Sequence, residues 1–220
     1  FRRVLFRSNL LRDRNEELKE QIKLYNELIK NKTIGAIDNL TNNKEIYDKN
    51  CINRHLGILL YGEPGTGKSS FITAIANHYR RSLYYIYPDE KNFPYTADIK
   101  ENSIVVIEDI DCYPIFLSRD SDKSDNKLLS KYLKMFDGEF LPENIIFIIT
   151  TNYIDKLDEA VKRSGRFDLH LEFEKADRDL AEKMVRNIDP TKLFILNDLE
   201  FPCAQSEIQG KVLKLMKEVK

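Results

Sequence analysis

Residues 57–76 read GILLYGEPGTGKSSFITAIA, and this stretch decides the fold. It opens on a short apolar run, Gly57–Tyr61, of strand type. It closes on Ser70–Ala76, whose apolar positions have helical spacing. Between them, GEPGTGKS at 62–69 matches G-x-x-x-x-G-K-[ST] in the strand–loop–helix context that this motif requires. Glycines 62, 65 and 67 let the backbone turn tightly and aim successive N–H groups into one concavity. The helix N-terminus adds its partial positive charge there. Such a cradle suits phosphate oxygens. Lys68 is placed to reach the β- and γ-phosphates of a nucleotide, and the Ser69 hydroxyl to reach Mg²⁺. Gly62, Glu63, Pro64, Gly65, Thr66, Gly67, Lys68, Ser69 and Ser70 are therefore the expected nucleotide-binding segment.

Outward from the loop, apolar runs alternate with helical stretches. LYYIY at 83–87 is β-rich and stops at Pro88. SIVVIE at 103–108 and IIFIITT at 145–151 are further apolar, β-branched runs, and LHLEF at 169–173 is a fifth. Continuous apolar strands separated by helices predict a parallel sheet covered on both faces, an α/β fold. Beyond Lys175 the chain reads helical, interrupted at Pro190 and Pro202. Before the first strand, Leu18, Ile22, Tyr25 and Ile29 predict a packing helix from Leu10 to about Lys30. Residues 31–55 read as polar and Asn-rich, with a short helical stretch around Asn39–Asp48.

Two strand ends carry polar groups suited to phosphoryl transfer. SIVVIEDID ends on Glu108, Asp109 and Asp111, and carboxylates at the C-terminal end of a parallel strand face the ligand crevice. One would hold the Mg²⁺ water shell and the next would orient or deprotonate an attacking water. Position assigns Glu108 to the metal and Asp109 to the water. The order is the reverse of the usual Asp-Glu, so the two roles stay open to exchange. Asp111 reads equally as a helix cap or a ligand. IIFIITTN places Thr150, Thr151 and Asn152 at another strand tip, where an amide can bond both a γ-phosphate and a water. KRSGRFD adds Arg163 and Arg166, whose planar guanidinium groups suit a developing negative charge.

Composition narrows the function. Hydrophobic residues make up 42% and charged residues 32%, an ordinary globular balance, and the net charge of −1 argues against a nucleic-acid-coating protein. Cys51, Cys112 and Cys203 fit neither metal-ligand spacing nor a disulfide framework, which predicts reduced thiols in an intracellular protein. FRRVLFRS at 1–8 is the in-frame translation of a common sequencing-library adapter. It is set aside from fold reasoning, which takes the charge from −1 to −4 through the loss of three arginines.

The blocks LLYGEPGTGKSS, IVVIEDID, FDGE, IIFIITTN and LDEAVKRSGRFD together resemble the AAA ATPases over about residues 46–175. Within that family GKSSFITAIA, EDID, FLSRD at 116–120, TTNYIDKLDEA and SEIQG at 206–210 look most like the BCS1-type mitochondrial chaperone ATPases, with RSGR here where RPGR is common. The resemblance implies a five-stranded parallel P-loop αβα sandwich at 46–175, a helical lid at 176–220 and, before them, a helical segment at 9–45. It implies hexameric or heptameric rings with ATP at subunit interfaces. Glu108 and Asp109 would then be the hydrolytic pair, Asn152 the first sensor, and Arg163 and Arg166 trans-acting arginines. The lid has no clear second-sensor arginine, and Arg178 and Arg186 read as surface residues. The implied work is remodelling or translocation of a protein substrate, with no nucleic acid, in a mitochondrial inner membrane or otherwise cytoplasmic setting. Membrane attachment would rest with a region upstream of residue 9. The other reading is a nucleotide-gated assembly module with negligible turnover. Phe93 and Tyr95 in DEKNFPYTADIK at 89–100 would either grip a substrate in a central pore or pack on the domain.

Overall fold

The computed structural model describes residues 2–4, 27–89, 92–118, 126–163 and 165–218. In chain order these form β1 (Arg2–Val4), α1 (Glu27–Asn42), α2 (Lys44–Lys49), β2 (His55–Tyr61), α3 (Lys68–His78), β3 (Ser82–Tyr85), β4 (Ser103–Ile107), α4 (Asn126–Phe136), β5 (Ile145–Thr151), α5 (Glu159–Lys162), β6 (Leu169–Glu172), α6 (Arg178–Ile188) and α7 (Gln205–Glu218), with short 3₁₀ turns between them. The five expected strands are all present as β2 to β6, and each pairs parallel with its neighbours in the order β3-β4-β5-β2-β6. Each is bounded within a residue or two of its apolar run. Outside them, β1 pairs antiparallel with the β3 edge. Residues 2–4 of the segment set aside as adapter-encoded thus pair with the sheet. An open edge such as that of β3 presents unpaired N–H and C=O groups to any extended segment.

β4 and β5 are buried along their whole length, and their side chains alternate between two cores. Val105, Ile107, Phe147 and Ile149 face a core closed by Tyr132, Met135 and Phe136 of α4. Ile104, Val106, Ile146 and Ile148 face the other, closed by Phe71, Ile72 and Ile75 of α3 and by Ile37 and Leu40 of α1. Two helices depart from the reading of the sequence. α1 runs through residues 31–38, which read as polar, into the short helical stretch expected around Asn39–Asp48, which α1 and α2 share. Thr33, Ile37 and Leu40 recur at steps of four and three and are buried, and that one-sided stripe holds the helix to the sheet. The expected helix from Leu10 lies outside the described residues up to residue 26. α4, which the sequence reading does not anticipate, carries Leu128, Leu129, Tyr132, Met135 and Phe136 on one face against the core.

The rings of Phe116, Phe147 and Phe167 surround Phe136 at centroid distances of 5.9, 5.1 and 5.6 Å. This cluster ties α4 to β5 and to the segment leading into β6. Phe136→Ala is expected to lower stability by about 3–5 kcal/mol. The check is urea unfolding, read as a lower midpoint at unchanged slope.

Beyond Glu172 a separate small core forms from Ala181, Met184 and Val185 of α6, Ile195 and Leu196 of the 3₁₀ segment Pro190–Asp198, and Ile208 and Val212 of α7. The helical reading past Lys175 holds, with the 3₁₀ segment starting at Pro190. Arg178 bonds Asn197 and Arg186 bonds Glu182, so both arginines are engaged within this unit. Among the described residues no helix is long and apolar enough to cross a membrane.

Candidate active site

β5 lies between β2 and β4, so the C-terminal ends of three strands meet at one edge of the sheet. The phosphate loop leaves β2, the acidic pair leaves β4, and the polar tip of β5 stands between them. This is the crevice position in which open α/β sheets bind ligands.

The loop turns through Gly62, Gly65 and Gly67 at φ of 140°, 78° and 96°, values that a side chain would strain. Gly67 is the N-cap of α3, in the left-handed conformation. Thr66 is buried and its hydroxyl donates to the Glu63 carbonyl at 2.9 Å, closing the loop on itself. Pro64 and Ser70 are exposed at its rim. Lys68 is only 7% exposed. Its ammonium donates to the carbonyls of Gly62 and Glu63 at 2.6 and 2.9 Å and to Asn152 Oδ1 at 2.8 Å. Burial pushes its pKa down, opposed by the charges of Asp109 and Asp111. None of its three hydrogen-bond partners is a carboxylate, so the buried cation is held by neutral dipoles and faces a cradle fit for an anion.

The Ser69 hydroxyl donates to Glu108 Oε1 at 2.5 Å. Asn152 Nδ2 donates to Asp109 Oδ1 at 3.3 Å. The two carboxylates are thereby sorted: Glu108 sits beside the Ser69 hydroxyl, and Asp109 sits beside the amide that also holds Lys68. Asp109 has φ 48° and ψ 52°, a left-handed conformation uncommon outside glycine. Its N–H is held by the Thr150 hydroxyl at 2.9 Å. Asp111 caps no helix. Its Oδ1 accepts from the Thr151 hydroxyl at 2.6 Å and from the Asn152 N–H at 3.0 Å.

Lys68, Ser69, Glu108, Asp109 and Asn152 therefore come together, and the two arginines part ways. Arg166 pairs with Asp137 through Nε at 3.1 Å and also donates to the Ala160 carbonyl, so it is engaged within its own chain. Arg163 is exposed just after α5 and has no ion-pair partner among the described residues. Phe93 meets the Tyr132 ring at a centroid distance of 5.2 Å and packs against the core, while Tyr95 is 64% exposed. Of the two aromatics in that loop, Phe93 serves the domain.

Several contacts escape a reading of the motifs alone. Asp168 accepts from the Gly57 N–H at 2.9 Å and fixes β6 to β2. A Cβ at Gly57 would lie 2.2 Å from the Arg166 carbonyl, so this glycine permits the close approach. Lys175 pairs with Glu63 at 2.6 Å, and the Ser206 N–H donates to the Gly65 carbonyl at 3.0 Å, so the start of α7 touches the phosphate loop.

A phosphate loop entering a helix, two carboxylates at an adjacent strand end and an amide between them define a P-loop nucleoside-triphosphate domain. Residues 58–175 match the ATPase family associated with various cellular activities, AAA. The chain belongs to the AAA ATPases. It is 35% identical over 158 residues to AAA-ATPase At3g50940 of Arabidopsis thaliana, a match covering 65% of this chain and 35% of that protein. It is 32% identical over 200 residues to "AAA-ATPase At3g28570, mitochondrial" of the same plant, covering 80% of this chain and 40% of that protein. Protein HYPER-SENSITIVITY-RELATED 4, also from Arabidopsis, is 32% identical over 164 residues, covering 65% of this chain and 28% of its own length. The chain thus spans well under half the length of these relatives.

Proposed function

We propose that this chain is the ATP-hydrolysing core of an oligomeric AAA ring ATPase of BCS1 type, which couples turnover to remodelling or translocation of a protein substrate. On this reading residues 46–175 bind the nucleotide and residues 176–220 form the lid. The observation that carries it is a division of charge. The phosphate cradle, both carboxylates and Asn152 sit together, while Arg163 is exposed at the surface, where it suits delivery to a neighbouring subunit. The name of one relative includes a mitochondrial location, which supports the same compartment here.

Lys68 would hold the β- and γ-phosphates. Ser69 and Glu108 would set two hard oxygen donors side by side for Mg²⁺. Hard oxygen donors in that number suit Mg²⁺, which is held by few protein ligands. Held there, Mg²⁺ would supply positive charge to offset that of the phosphates. Asp109 would take the proton of the attacking water. Asn152, bonded to both Lys68 and Asp109, would align that water with the γ-phosphate. Arg163 of the next subunit would meet the charge that develops on transfer.

The test is ATPase rate per subunit against protein concentration, on residues 9–220. A steep rise is expected, since each site needs a neighbour's arginine. A flat, low rate with intact ATP binding overturns the motor reading for this polypeptide and favours the nucleotide-gated assembly module.

A further inference from the structure

Asn152 can serve a γ-phosphate only if its amide is held at one place and in one orientation. Among the described residues its side chain bonds Lys68 and Asp109. Both of these would themselves engage nucleotide or water, so neither is a fixed anchor. The anchor lies behind it. Asp111 Oδ1 accepts the Asn152 N–H at 3.0 Å and the Thr151 hydroxyl at 2.6 Å. The Thr151 oxygen in turn accepts the Tyr153 N–H at 3.0 Å. Thr151 is fully buried, and it is the last residue of β5. One carboxylate oxygen on the turn after β4 thus holds the point at which β5 stops being a strand.

We infer that Asp111 is a positioning residue for the hydrolytic site, acting through the Thr151 hydroxyl and the Asn152 N–H to fix the Asn152 side chain between Lys68 and Asp109. This rests on the reading of Asn152 as the group that meets the γ-phosphate. Without Asp111 the Asn152 N–H loses its acceptor, and the strand tip is free to rotate the amide away. The role requires an acceptor oxygen and not a negative charge. That separates it from a third metal ligand, and from a counter-charge for Lys68.

The test measures dissociation constants of ATPγS and ADP, each with Mg²⁺, on the full chain by displacement of a fluorescent nucleotide. Only ATPγS carries the third phosphate, so only it reports on Asn152. Asp111→Ala is expected to weaken ATPγS by about two- to tenfold, the range of one or two net hydrogen bonds, and to leave ADP within about twofold. Asn152→Ala should give the same pattern, and adding Asp111→Ala to it should bring no further loss, because both act through one group. Asp111→Asn should restore most of the ATPγS affinity, since its Oδ1 still accepts. Equal weakening of both nucleotides in Asp111→Ala overturns the inference, as does an Asp111→Asn variant as weak as the alanine. Additive losses in the double variant overturn it alone. If Asn152→Ala leaves ATPγS affinity unchanged, the assignment of Asn152 falls and the inference falls with it. Should Asp111→Ala fail to fold, Thr151→Val removes one of the two bonds in a side chain of the same shape, and unchanged ATPγS binding there overturns the inference.

Discussion

Asp109→Asn is expected to bind Mg²⁺ and ATP as the parent chain does and to lose turnover by about 10²–10⁴-fold, the usual worth of a positioned general base. Glu108→Gln is expected to fail differently, with Mg²⁺-dependent nucleotide affinity falling about 10–100-fold, as when a metal's supporting partner is removed. The sequence order, Glu before Asp, leaves these roles exchangeable. The side-chain contacts argue for one assignment. Glu108 accepts from the Ser69 hydroxyl, the group of the phosphate loop proposed to meet the metal. Asp109 accepts from Asn152, which also holds Lys68. The backbone at Asp109 turns left-handed just after β4, and the Thr150 hydroxyl holds that turn by accepting the Asp109 N–H. Such a conformation costs of order 1–3 kcal/mol and persists where the surroundings over-determine it. Single-turnover rates, with nucleotide titrations over a range of Mg²⁺, check both variants. If Glu108→Gln alone keeps binding and loses turnover, the two roles are exchanged.

What the sequence makes legible is what lies close together along it. The phosphate loop is one contiguous stretch whose turn, dipole and cation all serve one anion, so its chemistry can be read without the fold. The five parallel strands announce themselves because a sheet covered on both faces needs unbroken apolar runs. α1 is harder, since its exposed face is filled with Asn and Lys and its buried stripe is thin, with a threonine at one of its places. Strand order is not written in any local pattern. That β5 lies between β2 and β4 is what brings Asn152 to Lys68 across 84 residues and Thr151 to Asp111 across 40. Asp111 reads as a cap or a ligand until that order is known, and only then as a brace. Arg163 and Arg166 look alike in KRSGRFD. They separate because Asp137, brought beside Arg166 by α4 and the aromatic cluster around Phe136, occupies one of them.

That separation makes Arg163 the more informative arginine. Arg163→Ala is expected to reduce turnover by about 10³–10⁵-fold, as loss of an arginine supplied from outside does in related phosphoryl transfers. Nucleotide affinity of a single subunit should be unchanged, because within its own chain the guanidinium is exposed and shares no contact with Lys68, Ser69 or Asn152 among the described residues. Arg166 offers no such clean experiment. Its removal also unties Asp137 and the Ala160 carbonyl, so a loss of activity would mix structure with chemistry. The decisive form of the Arg163 test is complementation. Asp109→Asn subunits carry an intact arginine and an idle acid, and Arg163→Ala subunits the reverse. Each alone should be inactive. Mixed, they form some interfaces in which the Asp109 of one subunit faces the Arg163 of the other, and a fraction of the parental rate should return. If the mixture stays as inactive as its parts while both variants still assemble, the arginine acts within its own chain and the shared-site reading fails. If Arg163→Ala weakens nucleotide binding by a dilute single subunit in proportion to its rate, the same conclusion follows without mixing.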